Sequence, residues 1–86
     1  MYKVIFEKKA LKLFAKLDGQ TQRQILKYLK QQDLLQNPKS FGKPLLREKK
    51  GNWRYRVGSH RIICKILDDE LIILVVDARH RKQIYD

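Results

Sequence analysis

Cysteine is nearly missing from this 86-residue chain, and Cys64 stands alone. A single thiol excludes an internal disulfide, and neither a CxxC pair nor the Cys/His spacing of a zinc site occurs. Cys64 therefore reads as a buried strand residue with no chemistry of its own. Long apolar runs are missing too: nothing approaches the roughly 18 residues of a membrane span. The start, MYKVIFEKKALKLFAKL, is interrupted by lysines where a secretion signal needs an apolar stretch. These absences predict a cytoplasmic chain with no membrane partner and no metal cofactor. Acidic residues are scarce, nine Asp+Glu against twenty Lys+Arg, for a formal charge of +11. Such a surface seeks anions: RNA, DNA, an acidic protein or an anionic membrane, which composition alone does not rank.

What is present fits one small domain, residues 1–86, with no internal repeat, low-complexity tract or linker. Tyr2 to Phe6 alternates and is rich in β-formers, which predicts a first strand. From Glu7 to Leu17 the apolar residues Ala10, Leu13, Phe14 and Leu17 recur at spacings of three and four, the mark of an amphipathic helix. Asp18-Gly19 breaks it. A second helix is predicted from about Thr21, through Ile25, Leu26, Tyr28 and Leu29 to Leu34 and Leu35, where Asn37-Pro38 stops it. Both prolines lie between Asn37 and Asn52, a long connector of the kind that is often functional. Three β-like runs follow: Trp53 to Val57, His60 to Leu67, and Leu71 to about Arg79. The expected fold is α+β, in the order β-α-α-β-β-β, with a mainly antiparallel sheet packed against a helical hairpin.

Gly58-Ser59 has the Gly-X form of a two-residue II′ turn, and this fixes a register. Val57 should face His60, Arg56 should face Arg61, Tyr55 should face Ile62 and Arg54 should face Ile63. Arg54, Arg56 and Arg61 then share one face of the sheet, and Trp53, Tyr55, Val57 and Ile62 the other. Charged strand faces are ordinary, but directly opposed arginines are unfavourable unless an anion or carboxylate lies between them. Asp77 is a candidate carboxylate: a three-residue loop at Asp68-Asp69-Glu70 would set it across from Arg61, and a two-residue loop would turn it to the other face.

The chain ends RHRKQIYD, with Arg79, His80, Arg81 and Tyr85 close together after the apolar strand. Histidine titrates near neutrality and suits proton transfer. Tyrosine stacks on bases, donates a hydrogen bond or anchors a tail. Together with the hairpin arginines this is the composition needed to cleave RNA without metal. The 2′-hydroxyl attacks the adjacent phosphate, a group must remove its proton, cations must stabilise the phosphorane, and an acid must protonate the leaving 5′-oxygen. Arginine supplies only the cationic part.

GKPL at Gly42 to Leu45, GNWRYRVGSHRIIC at Gly51 to Cys64 and HRKQIY at His80 to Tyr85, with the opening strand and lysine-rich helices, resemble the RelE/ParE superfamily of type II toxins over nearly the whole chain. The resemblance implies a toxin of the RelE branch that cuts mRNA in the ribosomal A site. It implies that Arg61 and Arg79 stabilise the phosphate, that Tyr85 orients the base or nucleophile, and that His80 acts as acid or base. Arg54 and Arg56 stand where some relatives carry lysines, and with Arg81, Lys49 and Lys50 they are the expected RNA contacts. An adjacent-encoded, acidic, partly disordered antitoxin is the implied partner, beside ribosome and mRNA. The alternatives are a ParE-like gyrase inhibitor without nuclease activity and a non-catalytic basic RNA-binding module.

Overall fold

The computed structural model describes residues 1–46 and 51–80. The element order is β1 (Lys3–Phe6), α1 (Lys8–Ala15), α2 (Gly19–Leu29), α3 (Gln32–Gln36), a 3-10 turn (Pro38–Ser40), β2 (Lys43–Pro44), β3 (Trp53–Val57), β4 (His60–Leu67) and β5 (Ile72–His80). The five strands form one sheet in the order β1-β5-β4-β3-β2. Its pairs are antiparallel except β1 with β5, which run parallel. The α+β class and the helical hairpin are as expected, with a short third helix and a two-residue edge strand in addition.

The helices form where apolar spacing and capping agree. Asp18 accepts a hydrogen bond from the Thr21 backbone N–H at 3.1 Å and so starts α2 earlier than Thr21. Gln22 then closes the preceding helix, donating from Nε2 to the Phe14 and Leu17 carbonyls, each at 3.0 Å. The expected long second helix is in fact two. Continuing past Leu29, the next residues in phase are Gln32 and Asp33, which a straight helix would press toward the core. The chain breaks at Lys30-Gln31, and α3 restarts with a new phase that buries Leu34 completely.

One face of the sheet carries the core. Tyr55, Val57, Ile62, Cys64, Ile73, Val75 and Ala78 meet Ala10, Phe14, Ile25, Leu29 and Leu34 from the helices. Phe6 packs against Phe14 at 5.0 Å between ring centres, which fastens β1 under α1. Tyr55, fully buried, donates its hydroxyl to the Pro38 carbonyl at 2.7 Å, and Trp53 donates Nε1 to Phe41 O at 2.6 Å. These two bonds tie the connector to β3. Gly42, at φ +71°, passes so close to β3 that a Cβ there would overlap the Arg54 carbonyl oxygen. Burial also pushes the Cys64 thiol and the Tyr55 hydroxyl well up from their ordinary pKa values, so neither ionises near neutrality. Among the described residues no helix is long and apolar enough to cross a membrane.

Candidate functional site

The hairpin has the register read from its turn. Gly58 takes φ +58°, and the pairs Val57–His60, Arg56–Arg61, Tyr55–Ile62 and Arg54–Ile63 all form. Tyr55, Val57 and Ile62 enter the core. Arg54, Arg56 and Arg61 consequently emerge on the other face, where β2 adds Lys43 opposite Arg54. Lys43 lies in the GKPL stretch, but only the tertiary pairing of a two-residue strand brings it beside the arginines.

The β4–β5 pairing differs from both registers considered for Asp77. From Leu67–Ile72 to Cys64–Val75 the strands pair around a turn of four residues, Asp68 to Leu71. The register then shifts between Ile63 and Cys64, so that Val75 pairs with Cys64 but Asp77 pairs with Ile63. Val76 is the additional residue, a β-bulge. Asp77 therefore stands across from Ile63, and Arg61 stands across from Arg79. The bulge reverses the in-out alternation of everything after it. Asp77 and Arg79 turn to the arginine face, and Ala78 turns into the core.

Four arginines thus share one face: Arg54 and Arg56 from β3, Arg61 from β4 and Arg79 from β5. Asp77 lies among them with its side chain only 7% exposed, and it accepts a hydrogen bond from Arg79 Nε at 2.9 Å. That charge-assisted bond fixes the Nε–H of the guanidinium on the carboxylate. Ile63, buried but outside the helix-facing core, forms an apolar floor between Arg54 and Asp77. The Nε and Nη1 atoms of Arg61 are buried, so that edge of its fork is withdrawn from solvent.

His80 is not on this face. It pairs with His60 on the helix side of the sheet, the two rings lying edge to face with centres 5.3 Å apart. The expectation of His80 as a proton carrier beside Arg61 meets a steric obstacle, since the sheet itself lies between them. Lys49, Lys50, Arg81 and Tyr85 lie outside the described residues. A surface depression at the far end of β4 is lined by Asp68, Asp69 and Glu70, whose charge repels an RNA phosphate. The arginine face is the part of the described molecule suited to an anion.

A family model described as the ParE toxin of type II toxin-antitoxin systems, parDE, matches residues 4–85. Toxin RelG of Mycobacterium tuberculosis is 36% identical over 53 residues, which cover 62% of this chain and 61% of RelG. The chain thus spans about three fifths of the length of that relative. The toxin-antitoxin complex RelBE2 from Mycobacterium tuberculosis contains a chain of similar structure, with a TM-score of 0.83 and 29% identity over 93% of this chain and 98% of that one. The intact Escherichia coli RelBE complex shares the fold, with a TM-score of 0.73 and 21% identity over 93% and 96% of the two chains.

Proposed function

The chain belongs to the ParE toxin family of type II toxin-antitoxin systems, and from that premise we propose that it is a ribosome-dependent mRNA endoribonuclease. The observation that carries this reading is the gathering of Arg54, Arg56, Arg61 and Arg79 on the helix-free face, with Arg61 opposite Arg79. Two guanidinium forks on neighbouring strands match the oxygens of one phosphate, and their attraction grows as the phosphorane gains charge. In the reaction the 2′-oxygen forms a bond to phosphorus as the bond to the 5′-oxygen breaks. A proton leaves the 2′-hydroxyl and another reaches the 5′-oxygen, giving a 2′,3′-cyclic phosphate and a 5′-hydroxyl.

Arginine keeps its proton at any working pH and cannot serve either transfer. His80 lies across the sheet. Proton transfer falls instead to Tyr85, by its place in the motif, or to groups of the ribosome, which is the physical reason for dependence on the ribosome. Arg81, Lys49 and Lys50 are proposed as further RNA contacts on the sequence alone. The proposed partner is an acidic, partly disordered antitoxin: the similar structures from Mycobacterium tuberculosis and Escherichia coli are toxin-antitoxin complexes, and the charge of +11 favours an acidic segment. A ribosomal target places the working protein in the cytoplasm.

The lack of a histidine on the arginine face among the described residues favours one second reading, a gyrase inhibitor that binds without cutting. Primer extension on mRNA in translating ribosomes, run beside a gyrase supercoiling assay, separates the two. Endonuclease action gives cuts within A-site codons, and these vanish when the nucleotide 5′ of the cut carries a 2′-deoxyribose. Loss of supercoiling with intact mRNA replaces the nuclease reading with the second.

A further inference from the structure

His60 and His80 face each other on the core side of the sheet, near its rim. We infer that this cross-strand histidine pair is a binding site for a divalent transition-metal ion of the Zn²⁺, Ni²⁺ or Cu²⁺ class.

The register brings the two rings close. The two-residue turn makes Val57 and His60 the hydrogen-bonded pair that closes the hairpin, so the backbone groups of His60 point toward β3. His60 and His80 are then a non-hydrogen-bonded pair, the kind in which opposed side chains approach most closely. The ring centres lie 5.3 Å apart, edge to face, and a turn about the Cα–Cβ and Cβ–Cγ bonds from this arrangement would aim one nitrogen of each ring at a shared ion. With each metal–nitrogen bond at about 2.0–2.1 Å and a tetrahedral angle between them, two imidazole centres fall about 5 Å apart. Both rings are half-buried, which leaves a path for the ion.

The charges around the pair agree. Burial and the neighbouring His80 lower the pKa of His60, and a neutral imidazole is the form that binds metal. The Asp18 carboxylate, at the start of α2, is the negative group coupled to His60, and Arg23 on the same helix is coupled in turn to Asp18. Among the described residues no group of three His, Cys, Asp or Glu closes around an ion, so water fills the remaining positions. Such a site is exchangeable, with micromolar rather than structural affinity. A bound ion would join the hairpin turn to the end of β5, where the HRKQIY motif begins. The site lies on the face opposite the arginines and is independent of the nuclease reading.

The test uses the untagged full chain, freed of metal with a chelator and titrated with Zn²⁺ by calorimetry and with Cu²⁺ by electron paramagnetic resonance. One ion per chain is expected, with two nitrogen ligands in the Cu²⁺ spectrum and an affinity that falls in acid as protons compete for the imidazole nitrogens. His60→Gln and His80→Gln should each weaken Zn²⁺ binding at least 10-fold. Unchanged binding in either variant overturns the proposal, as does binding without nitrogen coupling in the parent spectrum. The spectrum of the parent decides the matter even if a variant fails to fold.

Discussion

Arg61 and Arg79 stand directly across from each other on β4 and β5, like charge facing like charge. Neighbouring like charges repel, and salt screens that repulsion only in part over so short a range. A fold does not gain stability from that arrangement. Asp77, bonded to Arg79, offsets part of the repulsion, and a bound phosphate would offset more. The arginine face is better suited to holding an anion than to standing empty.

Arg61→Ala should lower the single-turnover rate of mRNA cleavage on the ribosome by roughly 10² or more, the scale of losing one strong transition-state donor. Ribosome binding should change much less. Arg61→Lys should restore only part of the rate, because an ammonium keeps the charge without the planar fork. Cleavage by Arg61→Ala at the parent rate would reduce the hairpin arginines to binding or solubility features.

In the proposed reaction Asp77 would act as a positioning residue, through the hydrogen bond it accepts from Arg79 Nε. Asp77→Asn keeps the shape but weakens the grip on Arg79 Nε, and cleavage should slow roughly 10-fold or more. If Asp77 serves cleavage through its bond to Arg79, the double variant Asp77→Asn/Arg79→Ala should be no slower than Arg79→Ala alone. Additive losses in this cycle would show that Asp77 works independently of Arg79.

Gly42→Ala should destabilise the protein by about 2 kcal/mol or more, measured by urea unfolding, because a positive φ and overlap with the Arg54 carbonyl combine. Tyr55→Phe should cost about 1–2 kcal/mol by leaving the Pro38 carbonyl without its buried donor. A Gly42→Ala variant as stable as the parent would mean that β2 does not pass this close to β3.

Acid should weaken the fold through His60 even in the metal-free protein. Burial and His80 lower its pKa, while Asp18 opposes the shift. The unfolded chain therefore binds the proton more readily, at its ordinary pKa of about 6.5. This contribution to stability is complete above about pH 6.5 and declines as pH falls from there toward the lowered folded pKa. His60→Gln should flatten the decline in unfolding midpoint over that range, measured with chelator present. The same slope in parent and variant would assign it to other groups.

The sequence by itself determined the hairpin and the layer it lies on. Gly58-Ser59 admits one tight turn, that turn admits one register, and alternation then separates the arginines from Tyr55, Val57 and Ile62. The three- and four-residue spacing of Ala10, Phe14, Ile25 and Leu29 likewise left one stripe of each main helix to bury. Only the tertiary structure decided the far side of the site. Alternation along β5 is a local rule that one extra residue inverts, and the bulge at Val76 depends on how β5 fits between β1 and β4 beneath α1. That single residue places Asp77 and Arg79 with the arginines and sends His80 to His60, because a strand's two faces exchange whenever its count shifts by one.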